Sequence, residues 1–262
     1  MTRSDATTST PWLGHLLDDA AQAAPDSTAL IVGAGRRRIS YAELAELVTT
    51  HCRALQRSAL RPGDVVALQS SNNLEFVVGL LAATRAGLVV VPFDPALPAA
   101  ERRARAEMAR VRVTLVDGHQ HSLDGDPAWL LESDGSLRAG DAPRAPGASI
   151  PGLLDRDALI MFTSGTTGTP KMVPWTHDNL RSSVTGIVGA YRLGPSDATV
   201  AVMPLFHGHG LVAGLLAPLA AGGRILLPAR GRFSASTFWD DIDTVGATWY
   251  TAAPTIHQIV LD

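Results

Sequence analysis

The densest run of chemistry-bearing residues is Thr163, Ser164, Gly165, Thr166, Thr167, Gly168, Thr169, Pro170 and Lys171. It follows residues 158–162, a short apolar stretch with the character of a buried strand. Gly165 and Gly168 have no Cβ to hinder a tight turn or close approach of the backbone to a ligand. The threonine and serine hydroxyls, together with the exposed N–H groups of such a loop, form a concave anion nest. Lys171 adds a point charge suited to phosphate oxygens. The guest that fits is a polyphosphate. A plain Gly/Thr-rich surface turn is the alternative, and the fixed order of strand, loop and lysine argues against it. The phosphate loop G-x-x-x-x-G-K-[ST] is excluded, because Pro170 stands where its second glycine belongs and Met172 replaces its Ser/Thr.

Other reactive side chains are sparser. His207 follows Pro204-Leu205-Phe206 and precedes Gly208-His209-Gly210; taken alone it reads as a hydrogen-bonded core histidine. The glycines at 208 and 210 serve either close approach to a ligand or helix packing. His209 and His177 read as structural, the latter at a helix start. His119 and His121 lack the third ligand that a metal site requires. Cys52, the single cysteine, lies on an apolar helical stripe with Leu44, Leu47, Val48 and Leu55, and so belongs to a core.

The elements that must position these residues alternate. A helix is expected from Thr10-Pro11 onward, with proline at its first position, then a hairpin over 28–40 around Gly33-Ala34-Gly35. Ser40 and Glu43 form a capping box for the next helix. Strands at 65–68, 88–92 and 111–116 alternate with helices at 74–86, stopped by Gly87, and at 99–109. Residues 117–157, rich in Gly, Pro, Asp and Ser, read as a connector holding one strand at 128–131. Beyond the loop, Thr176 caps a helix to about 191, followed by a strand at 198–203, a small-residue helix at 210–221 and a strand at 224–227. A helix through Phe238 and Ile242, a strand at 247–251 and a helix from Pro254 complete the order. Alternation of this kind predicts an α/β fold of parallel-rich sheets with helices on both faces. The expected division is a first subdomain with connector at 1–157 and the loop with a second, incomplete subdomain at 158–262.

The nine residues 163–171 resemble the phosphate-binding signature of the adenylate-forming superfamily, [ST]-S-G-[ST]-T-G-x-P-K, at every position. Two further stretches are similar to that family: Met203-Pro204-Leu205-Phe206-His207-Gly208-His209-Gly210-Leu211 and Thr248-Trp249-Tyr250-Thr251-Ala252-Ala253-Pro254-Thr255. The resemblance implies that ATP, with Mg2+, activates a carboxylate as an acyl adenylate, which a thiol such as that of coenzyme A then takes up. It assigns Thr163, Ser164, Thr166, Thr167 and Lys171 to the β- and γ-phosphates, with Gly165 and Gly168 shaping the loop. It places His207 beside the acyl group and the thiol channel. The run 206–210 and Trp249-Tyr250-Thr251 favour the acyl-CoA synthetase branch, with a short dicarboxylic acid such as oxalate or a fatty acid as substrate. A peptide-synthetase-type adenylation domain is the neighbouring alternative. The resemblance covers only the front portion of a family member, without the adenine loop, the ribose-binding aspartate or the mobile domain with its catalytic lysine. An N-terminal piece unable to turn over alone is therefore expected, self-associating or pairing with the missing part. A nucleotide-binding or interaction fragment is the other reading.

Charge and composition narrow the classes further. With 22 basic against 25 acidic residues and a net charge of −3, no basic surface for nucleic acid is implied. One cysteine rules out a disulfide framework within the chain. Residues 1–10 lack the apolar core of a signal peptide, and the longest apolar run, 210–223, is too short to span a bilayer. These features lead to an expected cytoplasmic location.

Overall fold

Apolar runs bounded by turn residues produce strands that alternate with amphipathic helices over most of the chain. The computed structural model describes residues 11–118, 127–147, 150, 152–163 and 170–261. A 3-10 turn at Trp12–His15 precedes α1 (Asp18–Ala23), β1 (Thr28–Val32), β2 (Arg37–Ser40) and α2 (Tyr41–Gln56). Next come β3 (Val65–Gln69), α3 (Leu74–Arg85), β4 (Val89–Phe93), α4 (Ala99–Met108) and β5 (Val113–Val116). The connector contributes β6 (Ala128–Leu131) and β7 (Leu137–Arg138), and β8 (Asp157–Thr163), β9 (Lys171–Thr176) and α5 (His177–Tyr191) follow. The remainder is β10 (Ala198–Val200), a π-helix at Gly210–Leu216, α6 (Ala217–Ala220), β11 (Arg224–Leu226), α7 (Ala235–Val245) and α8 (Pro254–Leu261).

The strands form two sheets, ordered β10-β11-β1-β2 and β7-β6-β5-β3-β4-β8-β9. In the larger sheet β6, β5, β3, β4 and β8 run parallel, and β7 and β9 close the edges antiparallel. Every residue of β3, β4 and β5 is buried, as a parallel sheet covered on both faces requires. Alternate side chains part to opposite sides. Val66, Leu68 and Val90 join the core built with α2, α3 and α5, whereas Val65, Ala67, Val89 and Val91 meet Ala106 and Ala109 at α4. The smaller sheet faces the same central layer through Leu30 and Ile225, and faces α7 through Ile31, Leu226 and Phe238. The result is five layers, helix–sheet–helix–sheet–helix, in which α2, α3, α5 and α6 share one core with both sheets.

Strand pairing crosses residue 157: β8 and β9 complete the sheet that contains β3, and β1 pairs with both β2 and β11. Some expected elements are corrected. The stretch 247–251 is not a strand. The Thr248 hydroxyl accepts the Ala198 N–H at 3.2 Å and donates to Asp197 at 2.7 Å, so a side chain stands where a ladder carbonyl would be. Helix α2 has half the expected capping box. Ser40 Oγ accepts the Glu43 N–H, but the Glu43 carboxylate pairs with Arg37 instead. The opening helix is a 3-10 turn followed by the short α1, and the helix expected over 210–221 begins as the π-helix.

Candidate functional site

The site is built from three turns, two of which leave the carboxyl ends of strands. The first is the hairpin of β8 and β9. Their antiparallel register runs from Asp157 opposite Thr176 to Thr163 opposite Lys171, so the hydroxyl and the ammonium flank the mouth of the intervening loop. Both are exposed, and among the described residues Lys171 has no ion-pair partner. Ser164, Gly165, Thr166, Thr167 and Gly168 lie outside the described residues, as do His119 and His121. The antiparallel return was not expected. Pro174 within it is tolerated because β9 is an edge strand, where a missing N–H costs no ladder bond.

Strand β9 runs directly into α5 through a capping box: Thr176 Oγ1 accepts the Asn179 N–H at 3.0 Å, and the Asn179 side chain accepts the Thr176 N–H at 3.2 Å. His177, the first residue of the helix, accepts the Leu13 N–H on Nδ1 at 3.2 Å. Burial lowers its pKa, against the pull of Asp178 and Asp157, which keeps Nδ1 free to accept. It is structural, tying the 3-10 turn to the helix.

The second turn spans 203–209, after β10. His207 is exposed and its ring lies 4.7 Å from that of Phe206. Its N–H donates to the Pro204 carbonyl at 3.2 Å and its carbonyl accepts from Leu211 at 2.8 Å. It is therefore not a buried core histidine but one presented on a closed turn. Gly208 and Gly210 serve packing: a Cβ at 208 would lie 2.6 Å from Cη2 of Trp175, and one at 210 would lie 2.2 Å from the Pro204 carbonyl oxygen. Trp175 of β9 thus rests on the turn that carries His207.

The third turn is 249–253. His209 Nε2 and Thr251 Oγ1 are 2.6 Å apart, and the Ala253 N–H reaches the Met203 sulfur at 3.3 Å. The chain regions 171–175, 203–209 and 251–253, far apart in sequence, meet through Trp175–Gly208 and His209–Thr251. Beside them an apolar cavity of about 470 Å³ is lined by Val173, Pro174, Trp175, Leu180 and Val212, with Asn179 and Ser183 as polar groups, a size usual for a small-molecule site. No group of three or more His, Cys, Asp or Glu among the described residues is arranged to hold a metal ion, and no described helix is long and apolar enough to cross a membrane. Sequence inspection missed the Trp175–Gly208 contact and the pairing of His209 with Thr251. Gly208 and Gly210, on either side of His209, were the available signal, since a residue without a Cβ allows a neighbour to come close.

Comparison with known proteins places the chain in a family. A family model described as "AMP-binding enzyme" matches residues 17–262. An oxalate–CoA ligase of Arabidopsis thaliana is 39% identical, over 95% of this chain and 51% of its own length. A sulfoacetate–CoA ligase of Cupriavidus necator is 32% identical, over 91% of this chain and 48% of its own. Among solved structures, ATP-bound MatB from Rhodopseudomonas palustris superposes with a TM-score of 0.80 at 27% identity, covering 97% of this chain and 51% of that one. The chain spans about half the length of the curated relatives it matches. With the family model covering nearly all of it, the chain belongs to the AMP-binding enzyme family.

Proposed function

We propose that this chain supplies the triphosphate- and acid-binding part of an acyl-CoA ligase. In that reaction a carboxylate oxygen attacks the α-phosphorus of ATP, pyrophosphate leaves, and the thiol of coenzyme A then displaces AMP from the acyl carbon. The nucleophile is already ionised, so the first step needs charge neutralisation and in-line positioning more than a general base. Thr163, Ser164, Thr166, Thr167 and Lys171 hold the β- and γ-phosphates, with Gly165 and Gly168 bringing backbone N–H groups close. Mg2+ would be carried with the nucleotide and would offset part of its phosphate charge, with Lys171 supplying the protein's own cation. His207 stands on the acid side of the site.

The observation that carries this reading is the meeting of the Thr163/Lys171 hairpin with the His207 turn through Trp175 and Gly208. A short polar acid is the proposed substrate, supported by the polar His209–Thr251 pair at the turn and by the likeness to ligases named for oxalate and sulfoacetate. Calorimetric titration with Mg-ATP tests the nucleotide half. Replacing Lys171 and Thr166 together by alanine is expected to weaken binding at least about tenfold, equivalent to about 1.4 kcal/mol; unchanged affinity overturns the reading. For the acid half, hydroxylamine trapping with oxalate, malonate and octanoate is expected to give no hydroxamate from this polypeptide alone. In a full-length protein containing it, the short diacids are expected to react ahead of octanoate.

A further inference from the structure

The two halves of the site belong to different sheets. The Thr163/Lys171 hairpin closes one edge of the larger sheet, while the His207 turn leaves β10 of the smaller one. We propose that Asn72 is the positioning residue that sets the His207 turn against the hairpin. The role given to His207 rests on the ligase reading; the geometry of the clamp does not.

Asn72 sits between β3 and α3, at the carboxyl end of the central strand of the larger sheet, and is 2% exposed. Its side-chain amide nitrogen donates to the carbonyls of Ala201 and Met203 at 3.0 and 2.9 Å. Its amide oxygen accepts the Leu205 N–H at 2.8 Å. Two carbonyls and one N–H admit a single orientation of the amide, since flipping it would set oxygen against oxygen twice. The bonded residues 201, 203 and 205 alternate, as strand partners do, and they end two residues before His207. Leu205 is fully buried, and the Pro204 carbonyl beside it accepts the His207 N–H. The backbone N–H of Asn72 donates to the Gly231 carbonyl at 3.0 Å, adding the loop after β11 to the same junction.

The clamp is itself held from the larger sheet. Asp117, at the end of β5, accepts hydrogen bonds from the Ser70 hydroxyl and the Asn73 side chain, each at 2.7 Å. Asn73 also caps α3 by accepting the Phe76 N–H at 2.9 Å. The turn 70–73 is thus held on both sides of Asn72, so a change in its side chain is felt by the residues it grips after β10. A satisfied, buried polar group of this kind specifies one arrangement, whereas a lost partner leaves buried carbonyls unpaired.

The test compares the 262-residue chain with Asn72→Asp, which keeps the acceptor for Leu205 and loses both donors, and with Asn72→Ala. The readouts are thermal unfolding, the imidazole NMR signals of His207 with His15 as a remote control, and Mg-ATP affinity. Cooperative unfolding, displaced or broadened His207 signals, unmoved His15 signals and an ATP affinity within about twofold of the parent support the clamp. Unmoved His207 signals in a folded variant overturn it. Loss of ATP binding together with the His207 change, or failure of both variants to fold, also overturns it, because Asn72 would then hold the whole fold. If the parent chain itself does not bind ATP, the ligase reading fails, while the His207 signals still decide for or against the clamp.

Discussion

At Gly208 one hydrogen atom separates a packed site from a strained one. The Trp175 indole lies where any side chain at 208 would go, and the preceding residue is His207. Gly208→Val is expected to destabilise the fold by about 1–3 kcal/mol, the usual range for overpacking. Trp175→Leu in the same chain should recover most of that loss. Urea denaturation of the two single variants and the double variant checks the coupling, and additive losses would show that the ring and the glycine are independent. The polyphosphate reading of the loop came from residue types in a fixed order, and the candidacy of His207 from the likeness of residues 203–211 to the family. The partners of those residues were not, because nothing local in Val173-Pro174-Trp175 announces a contact more than thirty residues away.

At the scale of elements, the junction of β9 and α5 carries the most consequence for so few residues. Thr176 pairs with Asp157 in the sheet and caps the helix through its hydroxyl. Thr176→Ala is expected to cost about 1 kcal/mol, as lost helix caps do, and to increase hydrogen exchange at the Asn179 amide while the centre of α3 stays protected. This cap was readable in the sequence, as were α3 with its Gly87 stop and the largely apolar strands β3 and β4. Strand β9 escaped notice because a proline among mixed residues resembles a loop unless the edge position is known. The expected strand at 247–251 failed for the opposite reason: its β-branched and aromatic residues suit a strand, but the Thr248 hydroxyl occupies the bonding position on β10.

For the molecule as a whole, one buried and one half-buried histidine set a pH limit. His51 on α2 is buried, and among the described residues its Nε2 has no hydrogen-bond partner. Burial lowers its pKa, opposed by the Leu47 carbonyl and Asp134. His177 is lowered by burial as well. Each is protonated less readily in the folded chain than near the usual 6.5 of the unfolded one. Below that value the unfolded state binds more protons, so their contribution is fully present above it and is lost as the pH falls toward the folded pKa values. The urea midpoint is expected to be lower at about pH 5.5 than at about pH 7.5, and His177→Gln, which keeps an acceptor for Leu13, should flatten part of that slope. An unchanged midpoint between the two conditions would contradict the assignment. The layered α/β architecture was legible from the alternation of elements, but not the wiring of the sheets, since pairing between distant strands leaves no local trace.

That wiring has a consequence for biosynthesis. β1 pairs in parallel with β11, Leu30 beside Ile225 and Ile31 beside Leu226. A ribosome adding 5–20 residues each second makes the second partner about 10–40 s after the first. A lone two-stranded ribbon is marginal in water, so during that interval the β1–β2 ribbon emerges with one rim uncovered, exposed to proteases and to the same segment of neighbouring nascent chains. Of the two sheets the smaller closes later, and the His207 turn, which follows β10, reaches its place only when it does.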